Sequence, residues 1–281
     1  MSETYRFGVG ALSCLAVSDG SFDYPPAALF ANAPQDSVRA ELDRAGVPSA
    51  MVTTPYTFLL VDTGAHRVLV DLGAGPLSPT TGRLSANLRN AGYGPQDIDC
   101  VVITHAHPDH IGGALQPNGT LRFAGSRYFV WKREWEYWFS EEAAKIEWEH
   151  IDFTAIARRS LSPMKPLLTL VDGEDEFLPG VSMLDAGGHT PGHVVIVFES
   201  GGSKLVFAAD TVICPLHLEH PDWRPIFDMQ PDRAEQSKRR VFDRAADEDW
   251  LVMAQHFPPF PSLGRITKER QGWKWRPIAT A

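Results

Sequence analysis

The chain has 281 residues, a length at which one hydrophobic core still serves the whole sequence, so we expect a single domain over residues 1–281 or two halves that share one core. Its 26 basic and 35 acidic residues give a formal net charge of −9, which repels polyanions and argues against RNA or DNA as a partner. No segment has the apolar length needed to cross a bilayer, and no secretory signal is visible at the amino terminus, so we expect a soluble cytoplasmic protein without a membrane partner.

The cysteines form no paired ligand motif. There are three, widely spaced, at Cys14, Cys100 and Cys214, and an odd number argues against a disulfide framework. We therefore expect reduced thiols.

The first half of the chain is predicted to consist of strands, turns and short helices. The stretches TFLLVDTG and HRVLVDLGAG meet at a Thr-Gly-Ala-His turn, which predicts a β-hairpin, and a helix is predicted from Thr81 to Ala91. The β-branched run from Val101 to Thr104 predicts a buried strand that delivers the next loop to a sheet edge. From Trp131 to His150 the aromatic residues have helical spacing, and we expect residues 131–166 to form an aromatic helical insertion near the functional site.

The second half continues with strands and one long helix. Apolar runs predict strands at Ser182 to Leu184, Val194 to Glu199 and Lys204 to Ala208. A helix is predicted from Pro231 to Asp247, followed by a strand at WLVMAQ and a final hairpin in GRITKERQGWKWRPI. Strands and helices in both halves predict two packed sheets with helices outside.

Four residues of the kinds that bind metals follow the strand that ends near Thr104: His105, His107, Asp109 and His110. Imidazole suits zinc and similar ions, and a carboxylate adds a hard, charged ligand. Two metal ions fit this cluster better than one. A surface loop that happens to be rich in histidine is the alternative, and the density of ligands within six positions makes it the weaker interpretation.

Three further candidates also follow strand-like runs. GGHTPGH offers His189 and His193, FAADT places Asp210 at the end of an apolar strand, and AQHFPPF places His256 after another. Alone, Asp210 would be a capping residue and His256 a core histidine. Their shared position after strands favours metal binding, whereas spacing does not decide between His189 and His193.

The order H-x-H-x-D-H, GHTPGH, a strand ending in aspartate and a late histidine resembles the signature of the metallo-beta-lactamase superfamily over most of the chain. The resemblance implies an α+β fold, a four-layer αββα sandwich of two packed mixed β-sheets with outer helices. It also implies two groups of ligands and a bridge: His105, His107 and His189 for one divalent ion, Asp109, His110 and His256 for the other, and Asp210 between them. His193 and Asp71 would support the site from behind, with turn capping as the alternative role of Asp71.

Such a centre predicts a metal-dependent hydrolase. Two divalent ions carry more positive charge than Asp109, Asp210 and one hydroxide return, so a hydroxide that bridges the ions is the expected nucleophile. Asp109 is the catalytic candidate, because it could steer that hydroxide or shuttle its proton. Zinc is the default metal, and manganese, iron or cobalt are alternatives.

The substrate class follows from a narrower resemblance. AVSDGSFDYP, IFDMQPDRAEQSKRRVFD and AQHFPPFPSLGRI resemble the methyl parathion hydrolase group and the quorum-quenching lactonases. This implies a small-molecule ester, lactone or phosphotriester as substrate, and a homodimer. Lactonases of that branch often place a tyrosine just after the bridging aspartate, where this chain has Thr211, Val212 and Ile213, which argues against an acyl-homoserine lactone.

Two further segments are candidates for substrate contact. The aromatic segment could bind an apolar leaving group or could equally be core or dimer interface; its tryptophans are Trp131, Trp135, Trp138 and Trp148. In CPLHLEHPDW, His217 is a candidate substrate contact, and a solvated loop with His217 and His220 is the alternative.

Other classes fit the residues less well. A redox di-iron protein of this fold would carry a glutamate in place of His107 and a flavin domain, and a persulfide dioxygenase would not need the second ligand group. A nuclease would need an added domain and a basic surface. A non-catalytic metal-binding protein would have lost ligands. The complete set favours hydrolysis.

Overall fold

The computed structural model describes residues 3–146 and 151–279, and within them two seven-stranded β-sheets form the centre of the molecule. The strands of each sheet are neighbours in chain order. The first sheet contains β1 (Thr4–Val9), β2 (Leu12–Tyr24), β3 (Val52–Asp62), β4 (Arg67–Val70), β5 (Cys100–Ile103), β6 (Arg127–Trp131) and β7 (Leu168–Val171). The second contains β8 (Glu176–Leu178), β9 (Val181–Asp185), β10 (Val194–Ser200), β11 (Ser203–Phe207), β12 (Leu251–Met253), β13 (Leu263–Lys268) and β14 (Trp273–Pro277).

Both sheets are mixed. Strands β1 to β4 pair antiparallel, whereas β4 to β7 pair parallel. In the second sheet every pair is antiparallel except β11 with β12. Parallel neighbours end at the same sheet edge, so the loops that follow β4 and β5, and those that follow β11 and β12, emerge side by side.

Helices cover the outer faces. They are α1 (Pro26–Leu29), α2 (Gln35–Arg44), α3 (Leu84–Asn90), α4 (Pro108–Ile111), α5 (Lys132–Trp138), α6 (Glu141–Ala144), α7 (Phe153–Leu161), α8 (Leu216–Glu219) and α9 (Pro231–Asp247). Apolar residues of α3, α5 and α7 join the core on the outer face of the first sheet, and those of α9 join the core outside the second. The layers run helix, sheet, sheet, helix, which confirms the predicted fold.

Alternation along the strands explains the two-sided burial of the sheets. On β5, Val101 and Ile103 face the helices, whereas Cys100 and Val102 face the second sheet. Because both faces are covered, the strand is apolar throughout and fully buried. The two sheets share the core between them.

Most predicted elements are confirmed, with shifts at their ends. The predicted hairpin is β3 and β4, where Asp62 pairs with Arg67, and α9 has the predicted bounds. Helix α3 begins later than predicted, at Leu84. The predicted helix from Trp131 is divided, because Trp131 still pairs with Val171 in the sheet before α5 and α6 follow. Trp148 and His150 lie outside the described residues.

The cysteines match the prediction of reduced thiols. All three cysteines are buried and free, as predicted. Burial raises the pKa of the Cys14 and Cys214 thiols to about 12, so both stay protonated at neutral pH.

Among the described helices, none combines the length and the apolar character that a membrane span requires.

Candidate metal centre

The predicted ligands lie in loops that follow strands and converge on one point. The loop after β5 carries His105 and His107, and the short α4 that continues it carries Asp109 and His110. The remaining ligands follow β9, β11 and β12: His189, Asp210 and His256. In the folded chain they form two groups, in each of which the ligand atoms lie within 4.8 Å of one another: His105, His107 and His189, and Asp109, His110, Asp210 and His256. The structure thus brings all seven predicted residues together.

Asp210 lies between the two groups. Its Oδ2 is 3.2 Å from His189 Nε2, in the first group. Its Oδ1 is 3.0 Å from His110 Nε2 and 3.1 Å from His256 Nε2, in the second. One carboxylate therefore turns one oxygen to each group, which is the arrangement that a bridging ligand needs. Asp109 Oδ2 approaches only the second group, at 3.6 Å from His110 Nε2.

Two carboxylates hold histidines from behind. Asp71 Oδ2 accepts a hydrogen bond from His110 Nδ1 at 2.7 Å, and the Asp71 side chain also accepts from the amide and the hydroxyl of Thr104. Asp228 Oδ1 accepts from His189 Nδ1 at 2.9 Å. Both rings are thereby fixed with Nε2 turned to the centre, the usual support of a metal-binding histidine.

His105 and His256 are oriented in the same way by neutral groups. His105 Nδ1 lies 3.1 Å from the Thr104 hydroxyl, and His256 Nδ1 lies 3.3 Å from the Pro55 carbonyl oxygen. His107 has the opposite orientation, with Nδ1 only 2.8 Å from His189 Nε2.

The donor set fits divalent metal ions. Among the described residues, the buried Nε2 atoms of His105 and His107 have no hydrogen-bond partner. Buried ring nitrogens are rarely left unpaired in a folded protein, and the His105 ring lies among the imidazoles of His107, His110 and His189, at 4.0 to 4.9 Å between ring centroids. Imidazole and carboxylate together are the ligands that zinc and similar ions take in proteins.

Comparison with known families settles the classification. A family model described as the metallo-beta-lactamase superfamily matches residues 52–256, a range that contains both ligand groups. The chain belongs to the metallo-beta-lactamase superfamily.

Lactonases are among the most similar superfamily members. An N-acyl homoserine lactonase of Bacillus cereus is 26% identical over 193 residues, which is 60% of this chain and 70% of that protein. The structure of AidC, described as a dizinc quorum-quenching lactonase with a bound product, is 26% identical, with a TM-score of 0.92 over 100% of this chain and 99% of that chain. The hydrolase AbOPH is 25% identical with the same TM-score and coverage. The predicted similarity to lactonases is confirmed, and this superfamily member is a metal-dependent hydrolase.

Two residues at the candidate site other than glycine have a left-handed backbone. Asp71 has φ of 60° and Ala209, directly before Asp210, has φ of 43°. Residues other than glycine rarely adopt this region, and such positions concentrate at functional sites. Here they lie directly beside the bridging carboxylate and at the carboxylate that supports His110.

The other histidines have structural roles. His193 accepts a hydrogen bond at Nε2 from the Asp210 amide and donates from Nδ1 to the Ala186 carbonyl, so it fixes the backbone of Asp210 without joining a ligand group. Burial lowers the pKa of His193 to about 3 and keeps it neutral. His217 is buried with Nε2 donating to the Leu29 carbonyl, and it does not line the cavity beside the metal centre, so the predicted substrate contact is absent.

Glu134 is a supporting residue that the sequence did not reveal. This fully buried carboxylate accepts hydrogen bonds from the Ala106 amide and the Trp138 indole at Oε1, and from the Thr190 hydroxyl and the Gly192 amide at Oε2. It therefore ties the loop of His105 and His107 to the loop of His189. A Cβ atom at position 192 would overlap the backbone of Glu134, which explains the glycine there. In the sequence, the one signal for Glu134 is that a charged residue stands four positions before Trp138, on the aromatic face of the predicted helix.

A cavity of about 270 Å³ opens onto the centre. Five of the seven predicted ligands reach its wall: His107, His189, Asp109, Asp210 and His256. The rest of the wall is almost entirely apolar and includes Phe22, Phe153, Ile213 and Phe227. None of the described tryptophans lines it; Trp138 instead packs edge-on against the His107 ring at 5.9 Å. This part of the aromatic segment supports a ligand from behind.

Without metal, buried charge distributes protons unevenly over the ligands. Burial holds the pKa of His105 and of His107 well below the usual value. Burial also opposes protonation of His189, but Asp210 and Asp228 outweigh it and raise the pKa of that ring to about 9. Burial opposes protonation of His110 too, but Asp210 and Asp109 outweigh it and hold the pKa of that ring well above its usual value. At neutral pH the metal-free site therefore carries protons on His189 and His110, which metal ions must displace.

We expect metal uptake by the chelated protein to release at least about one proton per chain at pH 7, because His189 binds a metal only as the neutral ring. The affinity should rise as pH increases toward 9, since the fraction of neutral His189 ring grows up to its pKa. Calorimetric titration of zinc in buffers of different ionisation enthalpy measures the released protons. Identical heats in all buffers would contradict the assignment.

Substitution of Asp228 tests the support of His189. We expect Asp228→Ala to weaken zinc binding about 10- to 100-fold, because the ring loses the acceptor that fixes its orientation. Asp222→Ala, an exposed aspartate on the same connection, is the matched control and should bind zinc like the wild type. Competition with a chelating dye gives the affinities, and equal affinities for the two variants would refute the supporting role.

Proposed function

We propose that the two ligand groups hold two zinc ions and that the protein hydrolyses a lactone or ester with an apolar acyl chain. His105, His107 and His189 would hold one ion, Asp109, His110 and His256 the other, and Asp210 would bridge them. The observation that carries the proposal is the position of both groups at the base of one apolar cavity. Two zinc ions bound there would supply a water of lowered pKa and would polarise a substrate oxygen.

The protein's own groups prepare the site for that chemistry. Asp109 is the one ligand carboxylate outside the bridge, its Oδ2 lies 3.5 Å from His256 Nε2, and it lines the cavity. It is placed to hold the proton that the attacking water loses and to return it to the leaving oxygen. His193 fixes the Asp210 backbone, so the bridge does not have to reorganise during the reaction.

The cavity wall favours an acyl chain over a strongly charged substrate. Apart from the ligands, the described lining residues carry no ionisable acid or base other than Tyr24, so a charged substituent would lose hydration without compensation. Phe22, Phe153, Ile213 and Phe227 offer apolar contact to a hydrocarbon chain. Relatives named N-acyl homoserine lactonases support a lactone, although Thr211, Val212 and Ile213 occupy the segment where that branch often has a tyrosine.

Zinc is proposed because a similar structure is described as dizinc and because the ligands are mainly imidazoles. The homodimer and the cytoplasmic location implied by the sequence stay predictions.

The test is a substrate panel on the zinc-loaded protein: an N-hexanoyl homoserine lactone, a medium-chain aliphatic lactone, an aryl ester and a phosphotriester. We expect a lactone to have the highest kcat/KM, the aryl ester a lower one, and the chelated protein to be inactive on all four. Preference for the phosphotriester would show that the substrate class is phosphotriesters and not lactones or esters. No hydrolysis by the zinc-loaded protein would refute the proposed function.

A further inference from the structure

Tyr24 is the one neutral hydrogen-bonding side chain among the described residues that line the cavity. The other lining residues are apolar or belong to the two ligand groups. The carbonyl oxygen and the leaving oxygen of an ester or lactone both accept hydrogen bonds. A neutral hydroxyl in this otherwise apolar wall is therefore a candidate donor to one of them.

The Tyr24 ring is fixed in place. It packs against Phe22 at 4.8 Å and edge-on against Phe227 at 5.7 Å between ring centroids. Its hydroxyl lies 2.6 Å from the Tyr56 hydroxyl. Tyr56 is fully buried and packs edge-on against the His256 ring at 4.9 Å. The pair of phenols therefore connects the cavity wall to the second ligand group.

Hydrogen-bond satisfaction fixes the direction of the bond between the two phenols. Among the described residues, Tyr56 Oη has no partner other than Tyr24. If Tyr24 donated to Tyr56, the Tyr56 hydrogen would be buried and unpaired, which costs free energy. Tyr56 is therefore the donor and Tyr24 the acceptor. The Tyr24 hydrogen is then not used in this bond, and Tyr24 lines the cavity.

The surroundings keep Tyr24 a donor. Burial, followed by the charge of Asp109, raises the pKa of Tyr24 well above its usual value, so the hydroxyl keeps its proton at physiological pH. Asp109 and Asp210 line the same cavity as Tyr24.

We propose that the Tyr24 hydroxyl donates a hydrogen bond to an oxygen of the bound lactone or ester, and that Tyr56 fixes its direction. The inference rests on the proposed function, because it assigns a residue to the same reaction. Tyr24 is thus a catalytic residue that touches the substrate, whereas Tyr56 is a positioning residue.

The experiment compares three tyrosine-to-phenylalanine variants in their zinc-loaded form, on whichever ester or lactone the wild type hydrolyses. Tyr24→Phe and Tyr56→Phe remove the same bond between the phenols, but only the first removes the donor to the substrate. We expect Tyr24→Phe to lower kcat/KM about tenfold or more. The loss in Tyr56→Phe should be several-fold smaller, and the zinc content should be unchanged in both variants. Tyr93→Phe is the remote control, since its hydroxyl contacts Arg6, and it should match the wild type.

The outcomes separate a catalytic role from a structural one. A purely structural bond between the phenols predicts equal losses in Tyr24→Phe and Tyr56→Phe, and that result would overturn the proposal. Wild-type kcat/KM in Tyr24→Phe would overturn it as well, as would a loss of zinc large enough to explain the lost activity. A zinc-loaded wild type that hydrolyses no ester or lactone would instead refute the proposed function, and this inference with it.

Discussion

Asp210→Ala is expected to leave a folded protein that binds at most about one zinc ion and has lost about a thousandfold or more of kcat/KM. Asp210 is the one residue whose two oxygens face both ligand groups, so its removal affects both ions. Metal ions contribute several kcal/mol of transition-state stabilisation, and each 1.4 kcal/mol corresponds to about a tenfold change in rate. Elemental analysis and hydrolysis assays on the same preparation measure the two effects.

The control for this variant is Asp232→Ala. Asp232 lies on α9 with a side chain that is 97% exposed, so it should keep both zinc ions and full activity. Circular dichroism of both variants establishes that they are folded. Two tightly bound zinc ions in Asp210→Ala would show that the carboxylate is not the bridge.

Glu134→Gln is expected to destabilise the protein by about 3 kcal/mol or more, although it changes a single atom. The carboxylate is surrounded by four donors, and an amide can accept at only one of its two positions. The amide nitrogen would face the Thr190 hydroxyl and the Gly192 amide, or the other two donors, and would leave buried donors unpaired. Urea unfolding of the metal-free protein measures the free energy of unfolding.

The same substitution should also weaken zinc binding, because Glu134 joins the two loops that carry the first ligand group. Glu136→Gln, an exposed glutamate on the same helix, is the matched control and should leave both quantities unchanged. If Glu134→Gln unfolds at the urea concentration of Glu136→Gln, the four hydrogen bonds do not hold the loops.

The candidate ligands could be identified from the sequence because their signals are local, whereas their division into two groups came from the resemblance to the superfamily. His105, His107, Asp109 and His110 lie within six positions after an apolar strand, and Asp210 and His256 each follow a strand. The fold followed from the same strands, since a parallel core strand needs both faces covered and is apolar throughout.

Glu134 and Asp228 could not be predicted in this way, because tertiary packing alone brings them to the site. Glu134 is 28 residues from Ala106 and 56 from Thr190, and Asp228 is 39 from His189. A buried glutamate on a helix and an aspartate in a loop have no local pattern that distinguishes them from solvated residues. The start of the helix predicted from Trp131 was wrong for a related reason, since pairing with β7 extends the strand through that residue.

The most direct test of the dinuclear hydrolase is the return of activity as zinc is added to the chelated protein. We predict that hydrolysis of the preferred lactone or ester increases until two zinc equivalents per chain are bound and then stays constant. Full activity at one equivalent, or activity that does not depend on zinc, would contradict it.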